Sequence, residues 1–517
     1  MIQMNLTIKI FFLVIVNCLL SKLYSDVKLP PLFTNGMVLQ RNMKVPIWGK
    51  GDRDENIVVK FGGQIKKTIV DQNGDWKVLL DPLTSNSIGQ NLTVLGGNKI
   101  ILKDILVGEI WLAAGQSNMQ WSMNKIGAKK EIESSENDQL RLLNFVPNNN
   151  FSPSRGRISI DNLKRISIDN AYVLNGWKKA SSESVIDFSA VAYYFAKELQ
   201  LKLNIPIGII NCSVGGSPTE SFINPMDLAS HNLLKELVGE NWLNSKYFPK
   251  WVKERTNQNL SLWNENNEIK KLPNHLFKPG FLYKASINRI APFALKGCVW
   301  YQGESNSPDL RGTTEVDYVD GFDIDLSRDK FHMLIKGWRK RWNYDFPFLY
   351  VQLPGLNRPW SLYREMQLQT LNQIPDTGMA VTYDVGHPIN VHPKNKKTVG
   401  ERLSLIARDE VYFENIVSTG PVYKSFTIEE YKIRIYFDYN EGIKGIGGDR
   451  IKGFEICGED QKFYPAKAEI DNNDIILTSP KVRSPIAARY AWMNDPKGKC
   501  NLGNEAGLLA SPFRTNN

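Results

Sequence analysis

The spacing of hydrophobic and polar positions follows one pattern near both ends of the chain. From residue 29 to about 104, short β-branched runs are broken by glycine, asparagine or aspartate, which is typical of antiparallel strands. The segment DQNGDW predicts a hairpin turn. The same pattern returns from about residue 425, in KIRIYFDYN, NDIILTS and ARYAWMND. These patterns predict β-sandwich-like regions over residues 26–104 and 413–517.

A different pattern occupies residues 105–412. Five apolar runs end in glycine or polar residues: DILVGEIWLAAG, IPIGIINCSVGG, LKGCVWYQGES, FPFLYVQLPG and TGMAVTYDVG. Stretches of helical periodicity lie between and after them, including FSAVAYYFAKELQLKL, FLYKASINRIAPFAL, DKFHMLIKGWRKRW and SLYREMQLQTLNQI. This alternation predicts an α/β fold, with a parallel sheet covered by helices on both faces. In such folds the ligand site lies beyond the carboxyl ends of the strands.

The N-terminus has the pattern of an export signal. Lys9 precedes an apolar stretch from Ile10 to Leu20, which is too short to span a bilayer comfortably. We expect a signal peptide over residues 1–25, cleaved near Ser25, and therefore a secreted, periplasmic or lysosomal protein. Of the five cysteines, Cys18 would leave with this segment. The remaining four have no metal-ligand spacing, and Cys457 with Cys500 is the favoured pair if a disulfide forms.

Length and charge narrow the class of protein. A chain of 517 residues exceeds one ordinary core, so several domains are expected. Its formal net charge is +10, but the basic residues are scattered and interleaved with acids. This distribution predicts no nucleic-acid groove, although the excess charge favours anionic small molecules. No other apolar run in the sequence is long enough for a membrane helix either.

The segment WLAAGQSNMQW places a serine at a strand end. The apolar run stops at Gly115, and Ser117 follows among polar side chains. A serine nucleophile needs a base, usually histidine. His387 and His392 follow the last apolar run, and His392 precedes an amphipathic helical stretch, which makes it the better candidate. The chain's histidines are His231, His275, His332, His387 and His392.

Other strand ends offer donors for an oxyanion hole. Gly215 follows the second apolar run, and its backbone N–H can approach a substrate closely. Gln302 and Asn306 follow the third run and supply side-chain amides. Each signal alone is weak, because glycine turns after strands are common. Together, however, serine, glycine, amide and histidine follow four strand-like runs in that chain order.

These blocks resemble the sialate O-acetylesterases of the SGNH-hydrolase superfamily. The similarity covers LFTNGMVLQRNMKVPIWG, VGEIWLAAGQSNMQWSM, INCSVGGSPTESFI, KGCVWYQGESN, HPKNKKTVGERL and GLLASPFRT, and thus nearly the whole mature chain. The resemblance implies that Ser117 is the nucleophile and His392 the base. It also implies that Gly215 completes the oxyanion hole with Gln302 or Asn306. The neighbouring residues predicted to support these positions are Gln116, Asn118 and Glu304.

Three positions depart from the family pattern. Ser217 and Val214 stand where threonine and tryptophan are frequent, next to the glycine turn. Ile389 stands three residues before His392, where many relatives have an aspartate. Asp384, at the end of the last strand-like run, is then the best remaining group to orient the histidine, and a main-chain carbonyl is the alternative.

The sequence thus predicts a secreted serine esterase that removes O-acetyl groups from sugars, foremost from 9-O-acetylated sialic acid. No cofactor or metal is expected, the partner is an acetylated sugar or glycan, and the oligomeric state stays open. An ordinary imidazole predicts a rate that rises through pH roughly 6 to 7. The alternatives are an esterase for acetylated xylan or pectin, a glycoside hydrolase and a non-catalytic sugar-binding protein. A glycoside hydrolase would use Glu304 and Asp384 as its acid and base. A sugar-binding protein would use Trp121, Trp300 and Trp360 as an aromatic platform.

Overall fold

The computed structural model describes residues 26–265, 272–308 and 322–515. The predicted signal peptide, residues 1–25, lies outside the described residues. Within the described ranges, no helix is both long enough and apolar enough to cross a membrane.

The N-terminal region is built from short strands that pair antiparallel, except for the first, whose residues 38–40 pair in parallel with residues 106–108. They are β1 (Val38–Gln40), β2 (Val45–Lys50), β3 (Asn56–Phe61), β4 (Gln64–Ile69), β5 (Asp75–Leu80) and β6 (Asn86–Leu95). The predicted turn forms, since the Gly74 N–H donates to the Asp71 carbonyl at 3.1 Å. The predicted hairpin is wrong, however, because β4 pairs with β3 while β5 pairs with β2. β5 buries every second residue and β4 buries none fully, so the turn connects two sheets.

The central region is a mostly parallel sheet. Its strands are β7 (Lys99–Gly115), β8 (Asn137–Pro147), β9 (Tyr172–Leu174), β10 (Lys178–Ala180), β11 (Ile207–Asn211), β12 (Gly297–Tyr301), β13 (Phe348–Val351) and β14 (Thr377–Ala380). The order across the sheet is β10-β8-β11-β7-β12-β13-β14, and all neighbours from β8 to β14 are parallel. All five apolar runs form strands of this sheet, as the sequence predicts. β8 was not predicted, because its segment NDQLRLLNFVP carries the buried Arg141 among its apolar residues.

β7 belongs to two regions at once. Its first part pairs antiparallel with β6, and its last part pairs in parallel with β11 and β12. The predicted boundary after residue 104 falls inside this strand, at Asp104, which has a φ of +58°. Asp104 is held there by the buried Arg141, with N–O distances of 2.8 and 3.3 Å. The N-terminal region and the central sheet therefore share one strand.

Helices cover both faces of the central sheet. The α-helices are Ser117–Gln120, Met123–Ile126, Lys129–Glu133, Ile160–Arg165, Ser182–Val185, Ala190–Leu203, Pro225–Ser230, Lys250–Asn259, Ser261–Asn264, Asn288–Ile290, Ile324–Trp342, Ser361–Gln373 and Lys397–Ile406. Trp338 packs on Trp300 at 5.7 Å between ring centroids, and Phe195 packs on Trp111 at 5.0 Å. Trp300 is paired with Ala114 on the neighbouring strand, so these two residues point to the same face. Trp111 lies three residues before Ala114 and therefore points to the opposite face, because side chains alternate along a strand.

One predicted helix forms with irregular geometry and ends early. The segment FLYKASINRIAPFAL is helical over residues 281–290, where Tyr283–Ile287 is a π-helical turn and Asn288–Ile290 is α-helical. The chain turns extended at Ala291, with ψ of 135°. Pro292 follows, and the residue before a proline disfavours the helical conformation.

The C-terminal region consists of two four-stranded antiparallel sheets, β15-β16-β21-β20 and β19-β18-β22-β24, with a two-stranded pair β17-β23. Its strands are β15 (Val422–Glu429), β16 (Lys432–Asp438), β17 (Lys444–Gly445), β18 (Phe454–Cys457), β19 (Tyr464–Pro465), β20 (Lys467–Asp471), β21 (Asp474–Thr478), β22 (Ala487–Tyr490), β23 (Leu502–Gly503) and β24 (Phe513–Arg514).

The favoured disulfide does not form in this structure. Cys457 and Cys500 are both buried free thiols. Cys500 packs against Gly453, just before β18, whereas Cys457 is the last residue of that strand. A strand rises about 3.3 Å per residue, so the two sulfur atoms lie at opposite ends of β18.

We predict that Gly115→Ala destabilises the protein strongly. Gly115 has a φ of +138°, and an added Cβ would lie 2.1 Å from the Tyr301 carbonyl oxygen. The clash and the backbone strain should together lower the free energy of unfolding by about 3 kcal/mol. Gly127 is the matched control, since its φ is +78° but nothing lies within 4 Å of an added Cβ. Gly127→Ala should cost about 1–2 kcal/mol, and equal losses in chemical denaturation would contradict the prediction.

Candidate active site

Ser117 lies at the carboxyl end of the central strand β7. The chain leaves β7 at Gly115, and the Gln116 N–H donates to the Tyr301 carbonyl of the neighbouring strand at 3.0 Å. Ser117 then begins the short helix Ser117–Gln120 and remains partly exposed. Within the described ranges, its backbone N–H donates to no protein acceptor. Ser117 is thus accessible at the edge of the sheet where parallel α/β folds bind ligands.

Asn118 connects the serine to the histidine loop. Its side chain is completely buried, and its Nδ2 donates to the Val391 carbonyl at 2.9 Å and to a Glu304 carboxylate oxygen. Its Oδ1 accepts a hydrogen bond from the Lys396 ammonium. The residue after Ser117 is therefore bonded to the residue before His392. The structure brings these two predicted residues to the same edge of the sheet.

The His392 ring stacks on the Trp121 ring, with centroids 4.7 Å apart and planes 23° apart. Trp121 directly follows the helix that begins with Ser117. Burial lowers the pKa of His392 to about 4, and the charges of Lys396 and Lys125 act in the same direction. The imidazole is therefore neutral, as a general base must be. Among the described residues no hydrogen bond joins the ring to Ser117 Oγ, a contact that is often long before substrate binds.

The other histidines have different surroundings. The exposed His387 accepts hydrogen bonds at Nδ1 from the backbone N–H groups of Ile389 and Asn390, at 3.3 and 3.0 Å. It therefore closes a turn of the loop that leads to His392. The remaining three histidines have partners elsewhere: His231 pairs with Asp329, His275 bonds to Asn259, and His332 bonds to Thr370.

Asp384 is not brought to the His392 ring. Its two carboxylate oxygens accept from Arg402 at 2.6 and 2.7 Å, and Arg402 also donates to the Val381 carbonyl. Such a bidentate pair commits both oxygens. Within the described chain, no carboxylate bonds to the His392 ring, and the departing residue Ile389 is 85% exposed. The geometry supports a Ser117–His392 dyad and gives Asp384 a structural role.

Gly215, the predicted oxyanion-hole residue, lies against Ser117. A Cβ on Gly215 would be 3.7 Å from the Ser117 Cβ. Its N–H, however, donates to the Gln120 side-chain oxygen at 2.7 Å. The side-chain amide oxygen of Gln120 thus occupies the place that a substrate oxygen would take. Gln120 was not predicted, although its position three residues after Ser117 puts it on the same helix face.

Gln302 and Asn306 are already bonded within the protein. Gln302 Nε2 donates to Asn306 Oδ1 at 2.7 Å, to Gln116 Oε1 at 3.2 Å and to the Ser217 carbonyl at 3.3 Å. Asn306 Nδ2 donates to Glu220 at 2.9 Å. These amides tie the loops after β7, β11 and β12 together. In this geometry both amides are engaged within the protein, and neither points at Ser117 as a free donor.

The two departures beside Gly215 are part of this framework. Ser217 Oγ donates to the Val214 carbonyl at 2.7 Å, and both residues are buried. They shape the turn that presents Gly215.

The two alternative functions find less support in the site. A glycoside hydrolase needs two carboxylates free to flank a bond, but Arg402 engages Asp384 and Asn118 engages the buried Glu304. Of the proposed aromatic platform, Trp300 and Trp360 belong to the core. Trp121 is partly exposed, but its ring stacks on His392.

Metal ligands are not grouped in the described ranges: no set of three or more histidine, cysteine, aspartate or glutamate side chains could hold an ion there.

Comparisons with known proteins give a consistent result. The sialate O-acetylesterases of Homo sapiens and Pongo abelii are each 28% identical to this chain over 522 residues, covering 92% of it and 90% of their own length. The sialate O-acetylesterase of Mus musculus is 27% identical over 536 residues, with 92% coverage of both chains. A carbohydrate acetylesterase from Xanthomonas citri of known structure is 32% identical, with a TM-score of 0.75 over 95% of this chain and all of the other. No family model matches the chain.

We predict that Asp384→Asn lowers stability and leaves kcat within about threefold of the parent. Asparagine cannot keep the bidentate charged pair, which should cost about 2 kcal/mol. An orienting aspartate would instead be worth on the order of 10⁴ in kcat. Glu414→Gln is a control of similar exposure, because Glu414 pairs with Arg408 at 2.7 Å. A kcat loss of several hundredfold in Asp384→Asn alone would show that Asp384 does orient His392.

We also predict that the activity of the parent depends on a base with a pKa of about 4. Protonation removes the base, so kcat/KM should fall only as pH drops through about 4, below the range expected of an ordinary imidazole. His392→Gln should abolish activity on a small aryl acetate, and His387→Gln should retain most of it. An acid-side limb between pH 6 and 7, or the opposite ranking of the two variants, would refute this assignment.

Proposed function

Since the chain belongs to the sialate O-acetylesterase family, we propose that it is a secreted serine esterase that removes O-acetyl groups from sialic acids, foremost at O9. At the coarser level, it is a carboxylic-ester hydrolase that acts on acetylated sugars. The observation that carries the serine-esterase mechanism is the hydrogen bond from Asn118 to the Val391 carbonyl. This bond and the stacking of His392 on Trp121 bring a serine and a neutral imidazole to one edge of the sheet.

The proposed reaction proceeds in two steps. Ser117 Oγ attacks the acetyl carbonyl while His392 accepts its proton, and the histidine then returns the proton to the departing sugar oxygen. Water, activated by His392, next hydrolyses the acetyl-enzyme and releases acetate. The N–H groups of Ser117 and Gly215 are the available donors to the carbonyl oxygen, once Gln120 has released Gly215. Every proton transfer in this scheme uses only His392.

A sialic acid fits the charge of the chain. The substrate is anionic, and a formal net charge of +10 favours its approach. A second candidate is an uncharged acetylated glycan, such as xylan. The specific reason is the similarity to the bacterial carbohydrate acetylesterase, which is 32% identical over 95% of this chain.

Export is part of the proposal. Lys9 followed by the apolar stretch from Ile10 to Leu20 has the pattern of a signal peptide. Cleavage after residue 25 would leave a mature chain that begins at residue 26, twelve residues before β1. N-terminal sequencing of the exported protein tests the cleavage site.

We predict that Ser117→Ala abolishes acetate release. Loss of the covalent nucleophile should lower kcat on the order of 10⁶-fold, as in serine proteases. Acetate should be measured from 9-O-acetylated sialic acid, acetylated xylan and acetylated pectin. The exposed Ser134, changed to alanine, is the control and should match the parent. Activity of Ser117→Ala within tenfold of the parent would refute the nucleophile, and a preference for xylan or pectin would refute the sialic acid.

A further inference from the structure

Lys396 is a buried cation with no place in the reaction described so far. Its side chain is fully buried, although lysine rarely is. The ammonium donates to Asn118 Oδ1 and lies 5.3 Å from the centre of the Tyr301 ring. It precedes the helix Lys397–Ile406 and follows His392 by four residues. Burying an ammonium costs free energy of folding, so a functional reason for its position is expected.

The hydrogen bonds around Asn118 allow only one orientation of its amide. A charged Lys396 can only donate, and the Val391 carbonyl can only accept. The Asn118 oxygen must therefore face Lys396, and its NH2 group must face the Val391 carbonyl, and thereby Glu304 as well. If the amide flipped, its NH2 would meet the ammonium and its oxygen would meet the Val391 carbonyl. The bond to Val391 exists only in the orientation that Lys396 imposes.

We propose that Lys396 is a positioning residue of the esterase site, which holds the Asn118 amide in the orientation that ties the nucleophile helix to the His392 loop. The inference rests on the proposed function, because it assigns Ser117 and His392 as the groups being positioned. The loop has no side-chain anchor at Ile389, which is exposed, and it is fixed through its main chain at Val391.

The charge of Lys396 has a second effect on the same loop. It lowers the pKa of His392, second only to burial, and Lys125 adds a smaller contribution. Burial in turn lowers the pKa of Lys396 itself to about 7, while the Glu304 carboxylate opposes this shift. Burial raises the pKa of Glu304, and bonds or charges from Asn118, Lys396 and Arg358 oppose that shift. The positioning residue thus also keeps the base unprotonated.

The test compares Lys396→Met with Lys397→Met. Methionine keeps an unbranched apolar chain without the charge. Lys397 is the exposed next residue and pairs with Glu401 at 3.8 Å. Lys396→Met should lower kcat about 100-fold with little change in KM, because a misplacement near 1 Å has that effect. Its kcat/KM profile should lose activity at a higher pH than the parent. Lys397→Met should match the parent in both respects.

A second readout does not require activity. The His392 ring can be titrated by NMR in the Ser117→Ala background and assigned by its absence in His392→Gln. Its pKa should rise in Lys396→Met and stay unchanged in Lys397→Met. If the parent releases no acetate from any ester, the proposed function fails, whatever the titration shows. If the parent is active, either a kcat of Lys396→Met within threefold of Lys397→Met or an unmoved titration overturns the inference.

Asn118→Asp serves as a second variant in case Lys396→Met does not fold. Aspartate has the same shape and still accepts from Lys396, but it offers no donor to Val391 or Glu304. Its kcat should fall at least tenfold while thermal unfolding still shows a cooperative transition. A folded Asn118→Asp protein with parental kcat would likewise overturn the inference.

Discussion

Strand β7 has hydrogen-bonded neighbours along both halves, and the position of the candidate site depends on this pairing. Its first part pairs with β6 and its last part lies between β11 and β12, so the N-terminal region and the central sheet cannot move independently at this strand. At its end, Gly115 fits against the Tyr301 carbonyl with no room for a side chain. This close contact sets where the chain leaves the sheet, and Ser117 follows two residues later. The location of Ser117, the candidate nucleophile, is thus a consequence of strand pairing.

Periodicity in the sequence was sufficient for the elements that bury apolar residues continuously. The five apolar runs of the central sheet are buried on both faces, and each forms a strand. β8 escaped prediction because Arg141, a buried side chain bonded to Asp104, interrupts its apolar pattern. The positions of Ser117 and His392 followed from strand ends, since parallel strands end at one edge. Which partner each polar group chooses could not be predicted in this way. Asp384 was a plausible orienter by position, but Arg402, eighteen residues away in the chain, engages it.

The polar groups beneath the site are an unfavourable arrangement for stability alone. Glu304, Lys396 and Asn118 are all buried, and one Glu304 oxygen and the Tyr301 hydroxyl have no hydrogen-bond partner in the described structure. Replacing a buried ion pair by apolar side chains of similar size is often neutral or stabilising. Departures from an apolar core of this kind are expected at functional sites, where a fixed geometry matters more than stability. Here the geometry that they fix is the distance between two loops that carry the reacting groups.

The contact between Gln120 and Gly215 adds a condition on how an ester reaches this site. The Gly215 N–H is bonded to the Gln120 oxygen, so an incoming carbonyl must displace an amide and not merely fill a gap. Exchanging one neutral hydrogen bond for another changes the free energy little, which makes ground-state binding a weak source of affinity at this donor. The developing negative charge of the tetrahedral intermediate accepts a stronger hydrogen bond than an amide oxygen does. As the oxyanion donor proposed above, Gly215 would therefore favour the transition state over both Gln120 and the substrate, which is the preference that accelerates a reaction.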